Sequence, residues 1–117
     1  MAIESRRQVI ERYSANGFRV SGAIFLGAVL VFPERTIEWP QPALSPESLS
    51  PVVAAGGIEL LLLGTGSRMT PVAPALRASL REHGIVIEAM DTGAACRTYN
   101  LLAAEQRRVA AALLPPT

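Results

Sequence analysis

Apolar and polar positions alternate in two different rhythms along the chain. Val9 to Tyr13 leads into Ser14-Ala15-Asn16-Gly17 and then Phe18-Arg19-Val20. Asn16-Gly17 between two short apolar runs is a hairpin signal, because both residues tolerate the positive φ that a type I′ turn demands. A second apolar segment, Ala23 to Phe32, stops at Pro33-Glu34 and is answered by Arg35 to Trp39. There Thr36 and Glu38 alternate with Arg35, Ile37 and Trp39, as in a half-exposed strand. The N-terminal third therefore reads as a β-meander.

From Pro40 to Pro51 the composition shifts to Pro, Ser and Gln, a connection across the surface. Ser45-Pro46 has the form of an N-cap with proline at the first helical position, and Gly56-Gly57 ends any helix that follows. Next comes Ile58-Glu59-Leu60-Leu61-Leu62-Leu63, a nearly unbroken apolar run of the kind found in a strand covered on both faces. It is the expected central strand. After Gly64-Thr65-Gly66-Ser67, Thr70-Pro71 opens a helix through Leu76 and Leu80 to His83, with Gly84 as its stop. Ile85 to Met90 reads as a further strand, which makes a strand, helix, strand unit with a right-handed crossover. From Thr92 onward, Ala95, Tyr99, Leu102, Gln106, Val109 and Leu113 recur every three or four residues, so one helix is expected up to Pro115-Pro116.

Half of the 117 residues are apolar and fewer than a fifth are charged, enough to bury a core and too little charge for a disordered chain. Eleven basic residues face ten acidic ones, and this balance gives no field to gather phosphate backbones, so nucleic acid is not an expected partner. All the basic residues are Arg, which excludes a lysine Schiff base or a P-loop lysine. Cys96 is the only cysteine, so there is no internal disulfide and no cysteine-rich metal site, in keeping with a reducing cytoplasm. Val20 to Phe32 is the longest apolar run. Its ~13 residues fall short of the ~20 of a membrane helix, so no stable insertion is expected. Its Val, Ile and Phe content favours a strand over a signal-peptide core.

Two stretches could carry chemistry. Gly64-Thr65-Gly66-Ser67 lies between a buried strand and a helix, where backbone N–H groups can meet an anion. Position 69 is Met where a dinucleotide fingerprint has its third glycine, and Pro71 and Pro74 remove donors, so a tight turn is the plainer reading. Asp91-Thr92 with Arg97-Thr98-Tyr99-Asn100 forms a polar cluster at a strand end, where Arg97 could grip a carboxylate or phosphate. The competing reading, equally weighted, has Asp91 or Thr92 capping the helix and Arg97 in an ordinary ion pair. Tyr99 belongs to the apolar stripe and is expected in the core with its hydroxyl satisfied. His83 is the sole imidazole and suits a helix C-terminus better than a triad or zinc site. Cys96 is expected to be a small buried thiol. Glu105 and Arg108 have the spacing of a helix-surface ion pair. Trp39 is expected as a lid over the sheet edge, with an exposed anchor as the rival. No catalytic set, metal site or cofactor follows from these residues.

Met90-Asp91-Thr92, Ala95-Cys96-Arg97-Thr98-Tyr99-Asn100 and Glu105 to Leu113, with Gly17 to Gly22, Gly27 to Val31 and Leu63 to Gly66, resemble a domain-of-unknown-function family. This family includes the mitochondrial complex I assembly factor 3 and uncharacterised bacterial relatives. The resemblance covers roughly residues 12 to 114 and is most specific at Arg97-Thr98-Tyr99-Asn100. It implies a three-layer α/β domain, residues 1–117, with a central mixed sheet, an N-terminal β-meander, flanking helices and a flexible start over residues 1–8. It also implies a non-enzymatic interaction protein whose partner is a respiratory-complex subunit or a second assembly protein. The Gly64 to Ser67 turn and the Asp91 to Asn100 cluster match the family pattern and are the expected pocket. Glu4 and Glu11 are unlike an import sequence, so a bacterial cytoplasmic member is expected. The alternatives are a binder or enzyme for an anionic ligand at Gly64 and Arg97, and a homodimer whose apolar surface is simply its own contact.

Overall fold

A computed structural model describes residues 7–117 of the chain. The expected loose start falls mostly on residues 1–6, outside the described residues. The chain opens with three antiparallel strands, β1 (Ile10–Ser14), β2 (Gly17–Val20) and β3 (Ala23–Leu26), which form a sheet of their own. The expected first hairpin is present, with one correction. Ser14 pairs with Gly17, so Ala15-Asn16 is the turn, and neither residue has a positive φ. Gly17 serves another purpose: a Cβ there would lie 2.0 Å from the Phe25 carbonyl oxygen on β3. The type I′ turn is the next one, Ser21-Gly22, with φ of 45° and 85°.

The second apolar segment is two strands. Gly27, at φ 81°, bends the chain out of the small sheet, and β4 (Val29–Val31) enters a second one, paired with β5 (Thr36–Glu38). This second sheet is five-stranded and mixed, in the order β5-β4-β8-β6-β7, where β6 is Leu60–Thr65, β7 is Val86–Met90 and β8 is Val109–Leu114. β6 runs parallel to both β7 and β8, and β4 runs antiparallel to β5 and β8.

The two-residue period of a strand sends alternate side chains into two cores. Leu30, Leu61, Leu63, Ile87, Ala110 and Ala112 face one way, packing with Trp39, Leu49, Val52, Leu76 and Leu80. That layer holds α1 (Ser50–Ala55) and α2 (Pro74–Arg81). Val29, Val31, Leu62, Val109, Ala111 and Leu113 face the other way, against Ala95, Cys96 and Tyr99 of α3 (Thr92–Ala104) and Phe18 and Val20 of the small sheet. The three-layer mixed-sheet architecture expected of the chain is thus present.

α2 starts at Pro74 and not near Pro71, because Ala73, which precedes a proline, is held extended at φ −59°, ψ 139°. The larger correction concerns the C-terminus. The expected single helix stops at Ala104, and Val109–Leu114 is a strand in the middle of the five, where residues 109 to 113 are at most 1 % exposed. The helix stops through a Schellman motif: the Gln106 N–H donates to the Ala103 carbonyl (3.0 Å) and the Arg107 N–H to the Leu102 carbonyl (3.0 Å). Gln106 takes the left-handed position at φ 63° that glycine usually fills. α2 closes with the same long-range bond, from the Ile85 N–H to the Leu80 carbonyl, and there Gly84 (φ 77°) supplies the expected stop. Because the helix has ended, Arg108 does not ride beside Glu105 on a helical turn; it lies 3.8 Å from Glu59 at the start of β6.

Candidate functional site

The interior position of β6 brings the two candidate stretches together. β6 ends at Gly64-Thr65 where the neighbouring β7 ends at Met90 and hands over to α3, so glycine turn and helix start meet at one end of the sheet. Contact between them is close. A Cβ on Gly64 would stand 3.1 Å from both the Cα and the Oγ1 of Thr92 and 2.8 Å from Leu113 Cδ2. Glycine is needed here for the approach of α3 to the strand, and Gly64 itself has no left-handed φ.

Thr92 organises this corner. It is fully buried, and its Oγ1 donates to the Leu114 carbonyl (2.6 Å) while accepting from the Gly66 N–H (2.8 Å). Its own N–H donates to the Gly66 carbonyl (2.8 Å). One threonine therefore joins the β6 turn, the start of α3 and the end of β8. Asp91 caps the helix by accepting the Ala94 N–H (2.9 Å). Thr65 Oγ1 donates to the Arg68 carbonyl (2.6 Å) and accepts from the Thr70 N–H (2.9 Å), while Ser67 Oγ bonds to Thr117. Turn and cap thus spend these polar groups within the chain, on each other and on β8, the following loop and the C-terminal residue.

The second half of the cluster divides in the same way. Tyr99 is fully buried, as its place on the apolar stripe foretold, and its hydroxyl donates to the Phe32 carbonyl (3.2 Å). Burial pushes its pKa up to about 12, with Arg7 opposing and Glu34 reinforcing the shift. Asn100 clamps the edge of β1: its Nδ2 donates to the Ile10 carbonyl (2.8 Å) and its Oδ1 accepts the Ile10 N–H (2.9 Å). Thr98 is half-buried. Arg97 is exposed, its Nη1 lying beside Gly93 together with the Tyr13 hydroxyl; these would be 3.3 Å and 2.8 Å from a Cβ at position 93. Ser67 and Arg97 are the members of the expected pocket that face solvent.

Cys96 is buried against the sheet, and burial raises its pKa to about 12 despite the neighbouring Arg97 guanidinium. It is the small buried thiol expected, and the raised pKa disfavours the thiolate that would attack. Trp39 is buried in the core cluster that holds Leu30, Leu49 and Val52, its Nε1 donating to Ser48 Oγ (2.7 Å), so it is not an exposed anchor. Among the described residues no three His, Cys, Asp or Glu side chains gather as metal ligands, and no helix is long and apolar enough to cross a membrane.

Two features had not been singled out from the sequence. Gly93, in the first turn of α3, lets Tyr13 of β1 pack against the helix, and a glycine inside a helical pattern was the available signal. Ile24 and Leu26 on β3 are each 75 % exposed, hidden at the sequence level inside the long apolar run.

Residues 10–114 match the model of a family described as a protein of unknown function (DUF498/DUF598). The chain belongs to this family. A Xenopus tropicalis relative, NADH dehydrogenase (ubiquinone) 1 alpha subcomplex assembly factor 3, is 37% identical over 111 residues, covering 92% of this chain and 61% of the relative. The chain thus spans about three-fifths of that protein's length. An uncharacterised protein of Rhodobacter capsulatus is 36% identical over 107 residues, covering 91% and 83% of the two chains. Among solved structures, one described as an outer membrane protein from Bartonella henselae superposes with a TM-score of 0.85 at 35% identity, over 97% of this chain and 98% of the other. Within the DUF498/DUF598 family match of this chain, Tyr99 and Asn100 act as internal ties, whereas Arg97 of the same stretch faces solvent.

Proposed function

We propose that this chain is a non-enzymatic interaction protein that serves assembly of a respiratory complex in the bacterial cytoplasm, through contact with a subunit of that complex or with a second assembly protein. The observation that carries this reading is the relation to proteins named as complex I assembly factors, which extends over nine-tenths of the chain. The chemistry of the corner is in keeping with it. Thr92, Asp91, Thr65, Tyr99 and Asn100 hold backbone groups of the chain itself, and Cys96 is a protonated thiol at neutral pH. The anionic-ligand alternative gains no support from the turn, because the Gly66 and Ala94 N–H groups it would use already have internal acceptors. In this proposal Ser67 and Arg97, on the rim of the Gly64 to Ser67 and Asp91 to Asn100 corner, are partner contacts.

The test is genetic and biochemical. Affinity capture of the tagged chain from native membranes recovers complex I subunits or assembly intermediates, and Arg97→Ala reduces the yield while leaving the melting temperature in place. A strain deleted for the gene accumulates less complete complex I. Unchanged complex I in that strain, together with no recovered subunit, rejects the proposal.

A further inference from the structure

We propose that the open edge of β3 is a seam through which two copies of this chain pair, strand to strand, about a twofold axis. This rests on geometry independent of the assembly role. β3 is the outer strand of the small sheet, while β1, at the opposite edge, is the strand packed on α3, so β3 projects from the body. Edge strands of monomeric proteins are ordinarily blocked by charge, proline or a bulge. Ala23-Ile24-Phe25-Leu26 has no charge and no proline, and it pairs with β2 without a break in register. Ile24 and Leu26 expose more of themselves than any other large apolar residue described.

The backbone is ready for a partner. The Gly27 N–H donates to the Asn16 carbonyl on the β2 side (2.9 Å). In an antiparallel ladder that direction alternates, so Phe25 and Ala23 also turn to β2, and Ile24 and Leu26 aim their N–H and C=O groups at the open edge.

The pattern fits a second copy of itself. A twofold axis normal to the sheet keeps its faces, so opposed residues must lie on the same face. Centring the axis on Phe25 sets Ile24 against Leu26 of the second copy, and Leu26 against its Ile24. This forms up to four backbone hydrogen bonds and joins four exposed aliphatic side chains in one cluster. Charge does not oppose it: Arg19, the β2 neighbour of Ile24, is already neutralised by Glu11 at 3.1 Å. A four-residue seam covers less than the ~1,200–2,000 Å² of stable complexes, so the dimer dissociates on dilution.

Sedimentation equilibrium from micromolar to millimolar protein is the primary experiment. The expected result is a monomer–dimer equilibrium weakened at least ~10-fold by Ile24→Lys or Leu26→Lys, since each variant sets like charges on both sides of the seam. Melting temperatures of the dilute variants stay at the wild-type value, which separates loss of pairing from loss of fold. The register has its own readout: Ile24→Cys and Leu26→Cys proteins form a disulfide with each other under mild oxidation, and neither links to itself. A chain that remains monomeric to millimolar, a dimer indifferent to both lysines, or self-linking by Ile24→Cys alone overturns the proposal.

Discussion

Replacing Thr92 by valine keeps the β-branched shape and removes only the oxygen that holds three elements together. Two bonds disappear, the 2.6 Å donation to the Leu114 carbonyl and the 2.8 Å acceptance from the Gly66 N–H. Each is worth about 0.5–1.5 kcal/mol net, and a buried group left without a partner costs about 1–3 kcal/mol. No water can readily replace the oxygen, because Thr92 is fully buried and the Gly64 backbone lies against it. The expected loss is therefore about 2–4 kcal/mol, a sizeable part of the roughly 5–15 kcal/mol that stabilises a domain. At roughly 4 °C per kcal/mol for a chain of this size, the melting temperature falls by about 8–16 °C. Thr92→Ser is the control, because it keeps the oxygen and gives up one methyl group, a loss of about 1 kcal/mol. Urea titrations of the three proteins, read by circular dichroism, give the differences directly. If valine costs no more than serine, the hydroxyl is not what ties β6, α3 and β8 together, and the account of this corner fails.

Other expectations follow from single positions. Gly17→Ala places a Cβ about where the Phe25 carbonyl oxygen sits, at 2.0 Å and with φ at 149°, so β2 and β3 separate; loss of amide protection in β3 by hydrogen exchange reports it. Gln106→Gly relieves the left-handed residue in the α3 stop at φ 63° and is expected to stabilise by about 0.5–1 kcal/mol, measured as a shift in the urea midpoint. In alkali, Cys96 and Tyr99 both titrate near 12 in the folded chain against 9.0 and 10.0 unfolded. The unfolded chain therefore releases its protons first. Their contribution is complete below about pH 9 and is lost as the pH climbs toward 12, so the urea midpoint falls across that window and falls less in Cys96→Ala.

The sequence disclosed those parts of the fold whose local chemistry is unambiguous. Gly84 marked the end of α2 because glycine costs nothing at a left-handed position, and Leu60 to Leu63 marked an interior strand because both its faces are apolar. Where the same device was built from another residue, the signal vanished. α3 ends in the same hydrogen-bond pattern as α2, but with Gln106 in place of glycine, and Gln106 happened to fall on the helical stripe. Beyond it, Val109 to Leu114 is alanine-rich and buried on both sides, so it shows neither strand-forming composition nor alternation, and its residues 109 and 113 continue a helical period by coincidence. The candidate corner was partly legible. That Gly64 and Thr92 would lie close followed from strand adjacency, whereas the division of labour within Arg97 to Asn100 depends on the direction each side chain takes from the helix, which spacing alone does not resolve.

That division bears on where function is to be sought. Consecutive residues on a helix diverge by about 100°, so Arg97, Thr98, Tyr99 and Asn100 cannot all serve one surface. Tyr99 reaches under the sheet to Phe32 and Asn100 reaches sideways to Ile10, and each ties α3 to a segment distant in sequence: the end of β4 and the edge of the small sheet. The small sheet in turn holds β3 as its outer strand, paired to β2 on one edge only and with Ile24 and Leu26 exposed. A substitution at Asn100 would thus loosen the platform that presents β3 without touching β3 itself. Loss of interaction in an Asn100 variant is therefore evidence about that platform, and only the solvent-facing positions, Arg97 and Ser67 at the corner and Ile24 and Leu26 at the edge, can separate contact from support.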